Sequence, residues 1–238
     1  MNEVKPDQKK ERIKDFLESF RMSSDRKRLS LLSVLEERVD ELLDLGSSLM
    51  IDFDADLCDW SPGFILQLIH KTDENFIKNN LECDGIAWFT APSDVGFDYS
   101  PLQRYLLKES FEDADRFTSS KLRELAGEKA VKRGYVYFSE VASIPSTDLS
   151  TLNKLWVVYS RGKFGFTVQA KILDSVGGRY DKLWPRIGWK KDGVWTRYPK
   201  AFNWSIEAPN GHMPLVNQLR GVRLMDSLLN HQALVSKN

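Results

Sequence analysis

The chain has 238 residues, of which 42% are hydrophobic and 11% aromatic, enough for one large domain or two small ones around an apolar core. The absence of a long apolar run and of an apolar N-terminal centre argues against a transmembrane helix and a signal peptide. Two widely separated cysteines, Cys58 and Cys83, argue against a disulfide scaffold or a zinc site and favour a reducing compartment.

The formal net charge is zero, but it is unevenly distributed along the chain. Residues 1–98 contain 12 Lys/Arg and 21 Asp/Glu, a net −9, whereas residues 99–238 contain 22 and 13, a net +9. A basic half attracts anionic partners by electrostatic steering. The charge pattern is therefore compatible with nucleic acid and equally with a carboxylate ligand.

The first 82 residues predict an N-terminal helical bundle. Apolar residues at helical spacing over residues 7–45 predict two helices, separated by a turn at residues 22–25 and ending near Gly46. A further helix is predicted from Ser61 to about Asn80, with Pro62 in its first turn.

An acidic run at residues 51–59 suggests a calcium loop, but its spacing does not fit one. An EF-hand loop that began at Asp52 would need Gly at its sixth position and Glu at its twelfth. The chain has Leu57 and Gly63 there, so an acidic turn between helices is the better interpretation.

Residues 83–99 have no regular period and are interpreted as a packed linker to a second domain, residues 100–238. A segment at residues 135–145 is predicted as helix or turn, because a single strand cannot form a sheet. The other predicted helices are 100–106, 111–125, 151–160, 164–176, 180–187 and Pro214 to about Leu229. Nothing predicts a sheet of three or more strands, so the class is all-α.

Residues 195–213, here called the aromatic loop, are predicted to be irregular because prolines and Gly211 interrupt any helical or strand period. Long loops in compact domains are usually functional or disordered, and this one is too apolar for disorder. We expect it to be mobile without ligand and ordered with ligand. Its large apolar side chains are Trp195, Tyr198, Phe202, Trp204, Ile206 and Met213.

In the helix predicted after the loop, Asn217, Arg220 and Arg223 recur every three residues and share one broad face. An aromatic loop beside two forked cations is typical of a site for a flat, apolar, anionic ligand. The alternative interpretation is an aromatic lid over the core with arginines at the surface.

No catalytic motif is present: the sequence lacks G-x-S-x-G, H-E-x-x-H, Walker and G-x-G-x-x-G patterns. His212 is the one histidine that could be tested for a hydrolase, although a loop histidine bonded to backbone explains it better. Five of the seven tryptophans fall between residues 156 and 204, interspersed with basic residues. Such rings can stack on nucleic-acid bases, line a pocket for a planar ligand or belong to the core.

Three long, aromatic-rich segments occur in order: LNKLWVVYSRGKFGFTVQ (152–169), YDKLWPRIGWK (180–190) and APNGHMPLVNQLRGVR (208–223). Together they strongly resemble the genomes-uncoupled-four family, the tetrapyrrole-binding regulators of magnesium chelatase. The resemblance covers roughly residues 98–230 without an evident gap.

The resemblance implies an N-terminal bundle of the cyanobacterial type and a cupped-hand helical core that takes a porphyrin. It implies a non-catalytic, monomeric protein that binds protoporphyrin IX and magnesium protoporphyrin IX and needs no cofactor or metal of its own. It also implies stimulation of magnesium chelatase in chlorophyll synthesis, through the enzyme's large porphyrin-binding subunit, and no nucleic-acid partner. The location implied is cytoplasmic, with peripheral association with the thylakoid membrane.

By position, the resemblance assigns polar ligand contacts to Asn217, Arg220 and Arg223. The expected apolar contacts are Tyr198, Phe202, Trp204, Met213 and Val216. Close relatives carry tryptophan before Pro199, where this chain has Tyr198, so binding is expected to survive with an altered affinity or optical signature. Two alternatives stay open: a nucleic-acid-binding module that uses the basic half, and a hydrolase centred on His212.

Overall fold

The structure is a computed structural model that describes residues 6–46, 49, 59–80, 91–215 and 222–235. Within these ranges the regular secondary structure is helical apart from one hairpin of two-residue strands, which confirms the all-α class. No helix in the described ranges is long and apolar enough to cross a bilayer. The predictions that lie outside the described residues concern Cys58, Cys83, Val216, Asn217, Arg220, most of the acidic run and the first part of the linker.

The N-terminal part is built from short helices. They are α1 (Pro6–Arg21), α2 (Asp25–Ser30), α3 (Leu32–Glu37), α4 (Val39–Leu43), α5 (Ser61–Thr72) and α6 (Phe76–Asn80). The division of the bundle from the core at residues 82–100 stays a prediction.

Two of the predicted N-terminal helices are interrupted. The second divides into α2, α3 and α4, and the breaks turn the chain so that Leu35 and Leu42 are buried while Leu29 is exposed. The third ends at Thr72, because the Asp73 carboxylate accepts a hydrogen bond from the Asn75 N–H and forms a turn there.

Helix α5 packs closely on the remainder of the chain. The amide Nε2 of buried Gln67 donates to the Leu106 and Tyr159 carbonyl oxygens at 2.9 and 2.8 Å. A Cβ added to Gly63 would lie 2.3 Å from the Val158 carbonyl oxygen, so only glycine allows this approach.

The C-terminal part follows the predicted order of helices. Its elements are α7 (Ser100–Leu107), α8 (Phe111–Leu125), α9 (Glu128–Arg133), a 3₁₀ helix (Phe138–Ser143), α10 (Ser146–Val158), α11 (Phe166–Ser175), α12 (Tyr180–Arg186), β1 (Lys190–Lys191), β2 (Val194–Trp195) and α13 (Val222–Leu229). Helix α5 packs on α7 and α10, and α13 packs on the 3₁₀ helix and α11. The segment predicted as helix or turn is this 3₁₀ helix.

The hairpin corrects the start of the aromatic loop. Trp195 belongs to β2 and pairs with Lys190 in an antiparallel register. Asp192 and Gly193 between the strands both have positive φ, at 49° and 81°, as a type I′ turn requires. The Asp-Gly pair was the sequence signal for this turn.

The predicted helix start at Pro214 is wrong, because neither Pro214 nor Leu215 is helical. The Pro214 carbonyl oxygen accepts from Gln169 Nε2 at 2.9 Å, and the Leu215 N–H donates to Asp115 Oδ1 at 2.6 Å. Side chains from α11 and α8 thus hold the backbone at Pro214 and Leu215 outside a helix. The predicted end near Leu229 is confirmed.

Candidate functional site

A cleft opens between α8, the segment from Gly134 to Ile144, Leu215 and α13. Its cavity volume is about 80 Å³, smaller than the roughly 300–1,000 Å³ of small-molecule sites, so a large ligand must widen the cleft or extend beyond it. The residues that line it are Ser119, Leu122, Arg123, Gly134, Tyr135, Val136, Val141, Ile144, Leu215, Leu224 and Leu228. Most of this lining is apolar, with one guanidinium group among it.

Helical spacing explains which side chains face the cleft. On α8, Ser119, Leu122 and Arg123 lie within one turn of each other, so they share a face. On α13, Leu224 and Leu228 are four residues apart and project from the same side. The cleft is therefore the space between two apolar helix faces that are about a hundred residues apart in the chain.

The aromatic loop carries a compact ring cluster. Phe202 stacks on Trp204 with ring centroids 5.4 Å apart, and Tyr198 meets both rings edge-on at 5.8 Å. The His212 ring lies 4.8 Å from Phe202 on the other side. Tyr198 and Trp204 remain partly exposed, whereas Phe202 is buried.

The C-terminal end of the aromatic loop is held by backbone hydrogen bonds. Gly211 N–H donates to the Lys163 carbonyl, and Gly165 N–H donates to the Met213 carbonyl, at 2.7 and 3.0 Å. Gln169 Nε2 also donates to the Gly211 carbonyl. Met213 is completely buried in this arrangement, so its side chain belongs to the core and not to a ligand surface.

His212 has the surroundings of a packing residue. Its Nδ1 lies 2.6 Å from the Ile187 carbonyl oxygen, its ring packs on Phe202, and burial lowers its pKa. This matches the loop histidine bonded to backbone that the sequence favoured over a hydrolase.

Asp115 on α8 connects the aromatic loop to the cleft. Its carboxylate accepts from the backbone of Leu215, a residue that lines the cleft, and the Tyr198 side chain faces the same carboxyl group. Asp115 is fully buried, and this burial raises its pKa to about 7.

The arginines near the cleft differ in their exposure and in whether another described residue already pairs with them. Arg123 lines the cleft, is half-buried and makes no hydrogen bond or ion pair within the described part of the chain. Arg133 is paired with Glu140 and lies 3.8 Å above the Tyr137 ring. Arg223 is exposed on α13 and lies 5.5 Å from the Phe138 ring centroid.

The structure brings some of the predicted site residues together and separates others. Tyr198, Phe202 and Trp204 form one cluster, whereas Arg223 projects from α13 toward the 3₁₀ helix instead of joining them. Arg123 and the apolar cleft lining were missed. Their only sequence signal was the helical spacing on α8 and α13, which does not show that two helices face each other.

The burial of the tryptophans tests the alternative of a nucleic-acid-binding module. Trp156 and Trp189 are completely buried, and Trp184 is 8% exposed and stacked on Trp189 at 5.6 Å. These rings are core residues and are unavailable for stacking on bases.

Comparison with known proteins identifies the family. The model of the GUN4-like family matches residues 92–232, more than half of the chain. The chain belongs to the GUN4-like family. A Ycf53-like protein of Synechocystis is 40% identical over 217 residues, covering 88% of this chain and 91% of the relative.

Two further relatives of the GUN4-like chain extend the comparison. The chloroplastic tetrapyrrole-binding protein of Arabidopsis thaliana is 36% identical over 147 residues, 58% of this chain and 56% of that protein. The solved structure of GUN4 from Chlamydomonas reinhardtii is 38% identical with a TM-score of 0.58, covering 61% of this chain and 95% of that one. Sequence and fold thus agree on the family.

Proposed function

We propose that this GUN4-like protein binds protoporphyrin IX or magnesium protoporphyrin IX in the cleft and stimulates magnesium chelatase without catalysis of its own. The observation that carries the proposal is an apolar cleft whose guanidinium has no ion pair among the described residues, in a chain that shares 36% identity with a tetrapyrrole-binding protein. A porphyrin is a flat apolar disc with two propionates. Burial of its faces releases water, and a guanidinium suits a carboxylate better than an ammonium does.

The proposed contacts combine sequence and structure. Arg123 meets a propionate, Leu122 and Leu224 contact a face of the disc, and Tyr198 and Trp204 approach from the aromatic loop. Asn217, Arg220 and Val216 stay in the proposed contact set on the strength of the family resemblance, as does Arg223.

A binding titration tests the first half of the proposal. Protoporphyrin IX added to the full chain should shift its Soret band and quench tryptophan fluorescence with a saturable curve. The matched control is the dimethyl ester, which keeps the disc and loses both charges, and it should bind more weakly. No spectral change at micromolar protein would contradict the proposal.

A chelatase assay tests the second half. Turnover of a cognate magnesium chelatase at limiting magnesium should rise when this protein is added, through contact with the large porphyrin-binding subunit. Heat-denatured protein serves as the control. An unchanged rate, with binding intact, would remove the regulatory role and leave a porphyrin-binding protein.

A further inference from the structure

The two oxygens of the Asp115 carboxyl group differ in their hydrogen bonding. Oδ1 accepts the Leu215 N–H at 2.6 Å, while Oδ2 has no hydrogen-bond partner in the described chain. The residue is fully buried on α8, one turn before Ser119 at the edge of the cleft. A buried carboxylate oxygen without a partner is costly, so a conformational change that satisfies it is favoured.

The aromatic loop carries a hydroxyl that interacts with this carboxyl group. The Tyr198 hydroxyl favours the ionised form of Asp115, and the Asp115 charge in turn raises the Tyr198 pKa, second to burial. Tyr198 does not complete a hydrogen bond to Oδ2 in the described structure. Its side chain is 41% exposed, so it is not locked in the core.

We propose that Asp115 is a positioning residue for ligand binding, which holds the Leu215 side of the cleft through Oδ1 and accepts the Tyr198 hydroxyl through Oδ2 when the aromatic loop closes on the ligand. This inference rests on the proposed function. In this proposal, one hydrogen bond between α8 and the aromatic loop stabilises the closed position of the loop. The disc would then be covered by the Tyr198–Phe202–Trp204 cluster without contact between Asp115 and the ligand.

The protonation state of Asp115 should control this closing step. Burial is the largest cause of its raised pKa, and Glu112 raises it further. The Leu215 N–H, the Tyr198 hydroxyl and Arg116 oppose that rise. With a pKa of about 7, the ionised carboxylate can accept from both Leu215 and Tyr198 above that pH, and the protonated group loses one acceptor below it.

A double-mutant cycle tests the hydrogen bond. Tyr198→Phe should weaken protoporphyrin affinity about 10-fold at pH 8, because it removes a hydrogen bond to a charged group. Asp115→Asn keeps an oxygen for the Leu215 N–H, and in this background Tyr198→Phe should cost much less. Asp174→Asn, at an exposed position on α11, is the matched control, and no change is expected for it.

Two measurements give the deciding results. In wild type the Tyr198→Phe effect should shrink from pH 8 to pH 6, and in Asp115→Asn it should be independent of pH. Without any ligand, the Leu215 amide resonance should titrate near pH 7 in wild type and not in Asp115→Asn. Equal Tyr198→Phe effects in both backgrounds, with porphyrin still bound, would overturn this inference alone. Absence of porphyrin binding to wild type would instead overturn the proposed function.

Discussion

Arg123 is the residue on which the polarity of the cleft depends. Its side chain lines the cleft and has no ion-pair partner in the described ranges, so its charge is available to a ligand. Arg133, in contrast, is already neutralised by Glu140. A half-buried guanidinium binds a propionate more strongly than an exposed one does, because water screens the pair less than it would at the surface.

Arg123→Ala should therefore weaken the binding of free-acid protoporphyrin by about 10-fold or more, the size of one charge-assisted hydrogen bond. The dimethyl ester should bind to variant and wild type alike. Arg123→Lys should restore part of the loss, since a point charge replaces a fork. Arg104→Ala, exposed on α7, is the control. An equal loss for acid and ester would show that Arg123 acts through packing.

Asp115 also makes stability depend on pH. Its pKa rises from an ordinary 3.8 to about 7 in the folded chain, so between these values the native state keeps a proton that the unfolded state releases. Stability should fall as pH rises through this window, with a slope of up to roughly 1.4 kcal/mol per pH unit, and level off above it. Urea unfolding of wild type and Asp115→Asn from pH 5 to 8 measures the difference. Parallel pH curves would contradict the raised pKa.

At the scale of elements, the aromatic loop has a fixed end and a freer end. Hydrogen bonds with Lys163, Gly165 and Gln169 hold the backbone at Gly211, Met213 and Pro214. Residues 197–205 make fewer hydrogen bonds to the rest of the chain. The one from the Trp204 indole N–H to the Pro199 carbonyl oxygen stays within this segment. Movement on ligand binding should be confined to this freer end.

Hydrogen exchange of the full chain should detect this division. Adding protoporphyrin should slow exchange across residues 197–205, with a much smaller change across 206–213, where the backbone is already bonded. The dimethyl ester provides a weaker-binding control. Unchanged exchange across 197–205 under saturating ligand would favour a static aromatic lid.

Gln67 makes the buried hydrogen bonds that join helix α5 to α7 and α10. Its side chain donates to the buried Leu106 and Tyr159 carbonyl oxygens, and the Leu106 oxygen also accepts from the Glu109 N–H. Gln67→Ala should lower the free energy of unfolding by about 2–4 kcal/mol, because two hydrogen bonds are lost and buried carbonyls are left without them. Gln8→Ala, exposed on α1, should change nothing measurable. A loss no larger than that of Gln8→Ala in urea would contradict this attachment.

At the scale of the molecule, the described cleft lining lies wholly after residue 100, while α5 packs on α7 and α10, which contribute no residue to that lining. We infer that the N-terminal bundle supports the core without entering the site. The family match to residues 92–232 is consistent with a site confined to that part.

A fragment of residues 91–238 should accordingly quench its tryptophan fluorescence with protoporphyrin as the full chain does. It should unfold at lower urea, because the fragment loses α5 and exposes apolar surface that α5 covers, at about 25 cal/mol per Å². Circular dichroism verifies that the fragment is folded. A folded fragment that fails to bind would place part of the site in the first 90 residues.

The sequence alone determined the helical class and many of the helix boundaries. Helix α8 ends just before Gly127 and α11 just before Gly177. The helical spacing of apolar residues and the glycines that end a helix are local features of the sequence, so they predict these boundaries. The aromatic cluster of Tyr198, Phe202 and Trp204 was also predictable, since its members are neighbours in the chain.

Tertiary structure decided the cleft and the status of individual side chains. Arg123 and Leu224 meet only because α8 and α13 face each other, and no local pattern encodes that packing. Likewise, Pro214 has the sequence of a helix start, but hydrogen bonds from Gln169 to its carbonyl oxygen and from the Leu215 N–H to Asp115 hold this segment outside a helix. A buried polar group binds whichever backbone partner the fold brings to it, and sequence spacing cannot show which one that is.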